Sequence, residues 1–166
     1  MKVKHLFFTI TMLLGLLFSQ ESSGLNLHGN SFTLRVNIPE DSKLSLQQNS
    51  MITEGGLVSN LKLRLRRNGI PYVNRMEDAH AILDVSINSI DIRYDDGEKA
   101  DAIAFSFRLE LNTWLLNQKG EDVWGSVYIL SNLGYSPEEE LKEWMIESLY
   151  EAIDQFSIDF IEENNL

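Results

Sequence analysis

Ile103, Phe105, Phe107, Leu109 and Leu111 occupy every second position of one stretch, with Ala104, Ser106, Arg108 and Glu110 between them. A period of two is that of a strand with one face buried and the other open. Lys119-Gly120 marks a tight turn, and Val123, Val127 and Ile129 then share one face of a returning strand. With a loop at 118–120, Asn117 faces Glu121, Leu115 meets Val123, Leu111 meets Val127 and Leu109 meets Ile129. The same register sets Trp114 against Trp124, Asn112 against Ser126 and Glu110 against Tyr128 on the opposite face. Only Thr113–Gly125 interrupts the apolar side. A slip of one residue scrambles both faces, so two patterns that agree define the pairing.

The other elements follow from similar patterns. Phe32, Leu34, Val36 and Ile38 alternate with polar residues and stop at Pro39, which reads as a strand. Residues 40–50 are polar and read as loop. Leu57, Leu61 and Leu65 recur at helical spacing, with Lys62, Arg64, Arg66 and Arg67 toward the carboxyl end and Asn68-Gly69 as the cap. Those cations suit the negative end of the helix dipole and need no anion to explain them. Ile70 to Val73 reads as a short strand confined to an edge by Pro71. Leu83, Val85 and Ile87 alternate, and the slip to Ile90 and Ile92 predicts a bulge. Asp95-Asp96-Gly97 is a turn. Ser136, Pro137 and Glu139 read as a helix start with a capping box. Leu141, Met145, Leu149, Ala152, Ile153, Phe156 and Phe160 then make one stripe. The order β-α-β-β-β-β-α predicts an α+β two-layer sandwich: a mostly antiparallel sheet of four or five strands, with two helices on one face.

The beginning of the chain reads as a sorting signal. Lys2, Lys4 and His5 precede an apolar run from Leu6 to Phe18, broken by Thr9, Thr11 and Gly15. Ser22 and Gly24 suit cleavage after Gly24, whereas a cut near Gln20 sets Phe18 in a poor place. Spanning a bilayer takes roughly 20 apolar residues, so the run predicts a removed leader rather than an anchor. The expectation is a signal peptide over 1–24, a single α+β domain over 25–166, and a periplasmic or secreted product. The chain has no cysteine. Disulfides and thiolate metal sites are excluded, and the lipoprotein route of acylating an amino-terminal Cys is closed. Removing 1–24 leaves 12 basic and 24 acidic residues, a net charge of −12. Such a surface opposes nucleic acid and anionic lipid.

The register leaves an indole pair on the face turned away from the helices. Cross-strand aromatic pairs stabilise a hairpin by roughly 0.2–1 kcal/mol, which is reason enough to keep one. Cover by Leu25 to Asn30 is a second structural reading. The functional reading is a partner surface of Trp114, Trp124 and Tyr128 with Arg108, Glu110 and Asn112, where rings supply area and neighbours supply hydrogen bonds.

Catalytic and metal signatures are missing from the sequence. His5 leaves with the leader, and His28 and His80 lack His-Glu-x-x-His spacing. No Gly-x-Ser-x-Gly elbow occurs, and Gly55-Gly56 is too short for a phosphate loop. Asp95, Asp96, Glu98 and Asp101 do not follow calcium-loop spacing and read as a solvated hairpin tip. The expectation is no catalytic residue, no metal and no cofactor.

Leu57-x3-Leu61-x3-Leu65, Asn68-Gly69-Ile70-Pro71-Tyr72-Val73-Asn74-Arg75 and Asp78-Ala79-His80-Ala81-Ile82-Leu83-Asp84-Val85 together resemble a bacterial envelope layout. It is that of the amino-terminal domain of the TolB translocation protein and of the curli-secretion CsgG and penicillin-binding-protein activator LpoB groups. The resemblance spans roughly residues 31–162. It implies a non-enzymatic periplasmic module that binds an envelope protein. The lipid-bearing Cys of the CsgG and LpoB groups has no counterpart here, and no propeller follows as in TolB.

Three functional expectations result. The first is an adaptor for an envelope protein. The second is a sugar or lipid binder in a groove lined by Phe105, Phe107 and Trp144. The third is a hydrolase, which needs two carboxylates about 5–9 Å apart in a cleft.

Overall fold

The computed structural model describes residues 31–42, 46 and 52–164. The expected leader, the Leu25–Asn30 cover and His28 lie outside them. The strands are β1 (Phe32–Asn37), β2 (Ala81–Arg93), β3 (Lys99–Leu116) and β4 (Asp122–Pro137), and the long helices are α1 (Glu54–Arg67) and α2 (Leu141–Asn164). They form one sheet in the order β1-β2-β3-β4. This is the α+β sandwich read from the sequence, with a mixed sheet rather than a mostly antiparallel one. β2, β3 and β4 pair antiparallel through tight turns, whereas β1 runs parallel to β2. The reason is α1, which carries the chain back along the sheet so that β2 starts from the same end as β1.

Thr53 caps α1, its hydroxyl accepting from Gly56 N–H at 3.1 Å. The helix closes at Asn68-Gly69 as expected. Gly69 has φ 75°, and Ile70 N–H returns to Leu65 O at 2.9 Å. A left-handed residue is needed there, and glycine adopts it without a Cβ penalty.

Three local expectations are corrected. Residues 40–42 and Leu46 are helical rather than loop, and Leu46 is fully buried. Ile70–Val73 is not a strand: Ile70 drops into the core and Val73 N–H bonds once to Phe32 O at 2.9 Å. Ser136 and Pro137 do not cap a helix. They end β4, where Ser136 pairs with Ile103 and is buried, and α2 begins at Leu141. Sheet pairing outcompetes the capping box because the strand ladder continues to Pro137.

The core lies between sheet and helices. Leu57, Leu61 and Leu65 of α1 and the stripe of α2 cover Leu83, Val85, Ile87, Phe105, Phe107 and Leu109. Burial of each such side chain is worth about 1.5–3 kcal/mol, which makes this layer the main source of stability. Phe32 and Phe156 meet edge-to-face with centroids 5.7 Å apart. Arg64 makes a forked contact to Asp154, and Asn68 adds a bond to the same carboxylate at 2.8 Å, so the helices are tied at their polar margin. These donors hold the Asp154 carboxyl below its ordinary value, the Arg64 hydrogen bond contributing most.

Candidate partner-binding face

The odd-numbered residues of β3 from Ile103 to Leu111 are buried, so its even-numbered residues point away from the helices. Trp114 and Trp124 pair as the sequence register requires. Their rings meet edge-to-face with centroids 5.3 Å apart at 72°. They are 63% and 42% exposed, far more than the core aromatics. Beside them is a cleft of about 430 Å³ lined by Met76, Ala79, His80, Ile82, Thr113 and the two indoles. Its rim is fixed by polar contacts: Thr113 Oγ1 donates to His80 O at 3.0 Å, and Ser31 Oγ donates to Asp78 O at 2.8 Å.

The register holds from Leu116–Asp122 to Asn112–Ser126 and then changes. Leu111 pairs with Tyr128 rather than with Val127, and Leu109 with Leu130 rather than with Ile129. Val127 is the extra residue of a bulge, and it turns every later side chain of β4 to the other face. Tyr128 is therefore corrected: it is 8% exposed and belongs to the core layer. Its ring meets Phe156 edge-to-face at 5.3 Å, and its hydroxyl donates to Asp159 Oδ2 at 2.8 Å. Burial, reinforced by that carboxylate, pushes the phenol well above its ordinary value.

Of the remaining expected residues, Arg108 and Glu110 lie on the open face and pair with each other. Asn112 lies there too but is buried by its neighbours, and its Oδ1 accepts from Ser126 Oγ at 2.6 Å. Arg35 and Asp84 make a second forked ion pair across β1 and β2. A neutral polar band thus crosses the middle of the face. Beyond it the bulge exposes Ile129, Leu133 and Tyr135, which join Ile90 as a second apolar region. Sequence reasoning missed that region because it carried the hairpin register through Val127.

The interior groove expected from Phe105, Phe107 and Trp144 does not form. Both phenylalanines are packed in the core, while Trp144 is half exposed and donates to Glu140 Oε2 at 3.0 Å. The 95–98 turn is a hairpin tip, with Glu98 N–H bonded to Asp96 Oδ1 at 3.0 Å. Among the described residues no three His, Asp or Glu side chains converge as metal ligands, and no helix is long and apolar enough to cross a membrane.

No family model matches the chain, and no curated protein matches it. Among solved structures, rare lipoprotein B from Shewanella oneidensis is similar at TM-score 0.33 and 15% identity, covering 80% of this chain and 92% of that one. A minor lipoprotein from Acinetobacter baumannii is similar at TM-score 0.35 and 13% identity, covering 82% and 91%. A neuraminyllactose-binding hemagglutinin homolog from Helicobacter pylori is similar at TM-score 0.35 and 15% identity, covering 88% and 87%. Scores of this size describe a partial likeness in the path of the chain.

Proposed function

We propose that this chain is an exported, non-enzymatic module of the cell envelope that binds another protein through the open face of its sheet. One observation carries the reading: the Trp114–Trp124 pair stands beside a cleft on the layer that no described helix covers. Exposed aromatics beside a concavity are what protein interfaces use as anchors, since a flat ring contributes area at low entropic cost. The basic, apolar leader supports export. The test is the double change Trp114→Ala and Trp124→Ala in the exported protein, followed by in-cell crosslinking, capture and mass spectrometry. A partner recovered with the wild type and lost with the double variant supports the reading. Retention of every partner by a folded double variant removes it.

A second reading has one observation in its favour. A cleft of about 430 Å³ lies within the volume range of small-molecule sites, and indole faces stack on sugar rings. Titration with neutral oligosaccharides, read by tryptophan fluorescence, separates this reading from the first.

A further inference from the structure

β4 is the outermost strand on its side of the sheet, and among the described residues no element pairs with its outer edge. Edges of this length are usually blunted by lysines or by an internal proline. β4 has neither: from Asp122 to Pro137 its only charged residue is Asp122, and its only proline is the last residue. Its one irregularity is the bulge at Val127, and downstream of it pairing to β3 runs unbroken from Tyr128 to Pro137. There Leu133 N–H bonds to Asn132 Oδ1 at 2.8 Å. That amide is turned outward, and a neighbouring side chain holds it in place of a strand. By the alternation of a ladder, Ser131 and Tyr135 turn their main-chain groups the same way.

The surroundings of this edge select what can lie on it. A strand added beside β4 sends alternate side chains to opposite faces. One set lies along Ile129, Leu133 and Tyr135, which are exposed and apolar or aromatic. The other set lies toward the layer of α2. That helix carries seven acidic residues and one basic residue, whereas α1, across the molecule, carries four basic and one acidic. Asp159 reaches Tyr128 of β4 and so marks the flank of α2 nearest the strand. Helical spacing puts Glu162 and Glu163, three and four residues on, to either side of Asp159 on that flank, and both are exposed.

We propose that the outer edge of β4 from Ile129 to Pro137 accepts an extended segment of another protein, alternately apolar and cationic, as a fifth strand of the sheet. The proposal rests on the reading of the chain as a protein-binding module and names the chemistry of the segment it takes. Main-chain hydrogen bonds supply affinity in this mode, and the alternating side chains supply specificity. A second copy of this chain is a poorer occupant, because two edges flanked by the same acidic helix repel.

The test uses synthetic peptides of about nine residues, the length of strand available. One alternates Val and Lys, one alternates Val and Glu, and one is the Val-Lys peptide with alternate backbone nitrogens methylated. Binding of the Val-Lys peptide, with hydrogen-exchange protection gained at Ser131, Leu133 and Tyr135, is the expected result. The Val-Glu and methylated peptides are expected to bind at least about tenfold more weakly, since each lacks one half of the recognition. Leu133→Pro removes an outward amide, and Leu133→Lys keeps the backbone while opposing a cationic segment. The paired change Glu162→Lys and Glu163→Lys reverses the flank. Each is expected to weaken binding about tenfold in a protein whose circular dichroism is unchanged. Equal binding of the methylated peptide, or indifference to both Leu133→Lys and the flank reversal, overturns the proposal. So does self-association through β4, read by sedimentation, in place of peptide binding. Trp114→Ala with Trp124→Ala leaves residues 129–137 untouched. A module that still loses its partner on that change while ignoring the edge variants has kept the face reading and lost this one.

Discussion

The Tyr128 hydroxyl donates to Asp159 Oδ2 at 2.8 Å, joining the strand just past the bulge to the helix beneath it. The bond is possible only because Val127 takes no partner in β3, which rotates Tyr128 into the core layer beside Phe156. Tyr128→Phe is expected to cost about 1 kcal/mol, the net value of a half-buried hydrogen bond to a charged acceptor less its desolvation. Chemical denaturation at neutral pH measures it.

The same phenol sets an alkaline limit. Its folded pKa lies above the ordinary value of 10.0, so folding favours the neutral form. The stabilisation is complete below the unfolded pKa and declines as pH rises past it. Melting temperature followed above pH 10 is expected to fall more steeply for the wild type than for Tyr128→Phe. Parallel curves would remove Tyr128 as the cause.

Asp154 works at the other end of the pH scale. Arg64 and Asn68 hold its folded pKa below the ordinary 3.8, so the contribution is present above that value and is lost as pH falls through the folded one. Asp154→Asn is expected to lower stability at pH 7 and to flatten the acid limb of the stability profile below about pH 4. An acid limb of unchanged slope in the variant sinks this assignment.

Gly134 lies opposite Phe105, and a Cβ built there stands 2.8 Å from the ring's Cζ. Phe105 is 3% exposed and has no room to retreat. Gly134→Ala is therefore expected to destabilise by about 1–3 kcal/mol, as overpacking does. Combination with Phe105→Leu is expected to restore part of the loss, and a double-mutant cycle reads the coupling.

Trp114→Ala and Trp124→Ala are expected to remove partner binding at small expense to the fold. The pair is exposed, so losing it costs about 0.5–1.5 kcal/mol beyond the area change. A thermal scan that shows collapse instead assigns the pair to structure.

Most of the frame was legible in the chain. The stripes of α1 and α2 and the alternation of β3 have one period each and one buried face, and packing leaves them no alternative. The Trp114–Trp124 register was readable for the same reason, since two faces had to agree. The bulge was hidden because Val127 and Tyr128 are both acceptable opposite Leu111, so hydrophobicity does not choose between them. Gly134 held the missing sign: an inward glycine is what Phe105 requires, and only the shifted register turns residue 134 inward. Ser136-Pro137-x-Glu139 misled because a capping box is a local preference, and the ladder to Ile103 prevailed over it.

The supernumerary residue at Val127 also fixes how β4 will tolerate change. Up to Ser126, even-numbered positions look onto solvent; from Ile129 onward, odd-numbered ones do. A saturation mutagenesis map of this strand should consist of two stripes of permissive sites whose parity inverts once, and deletion of Val127 should merge them into a single alternation that leaves Tyr128, Leu130 and Gly134 facing the interior.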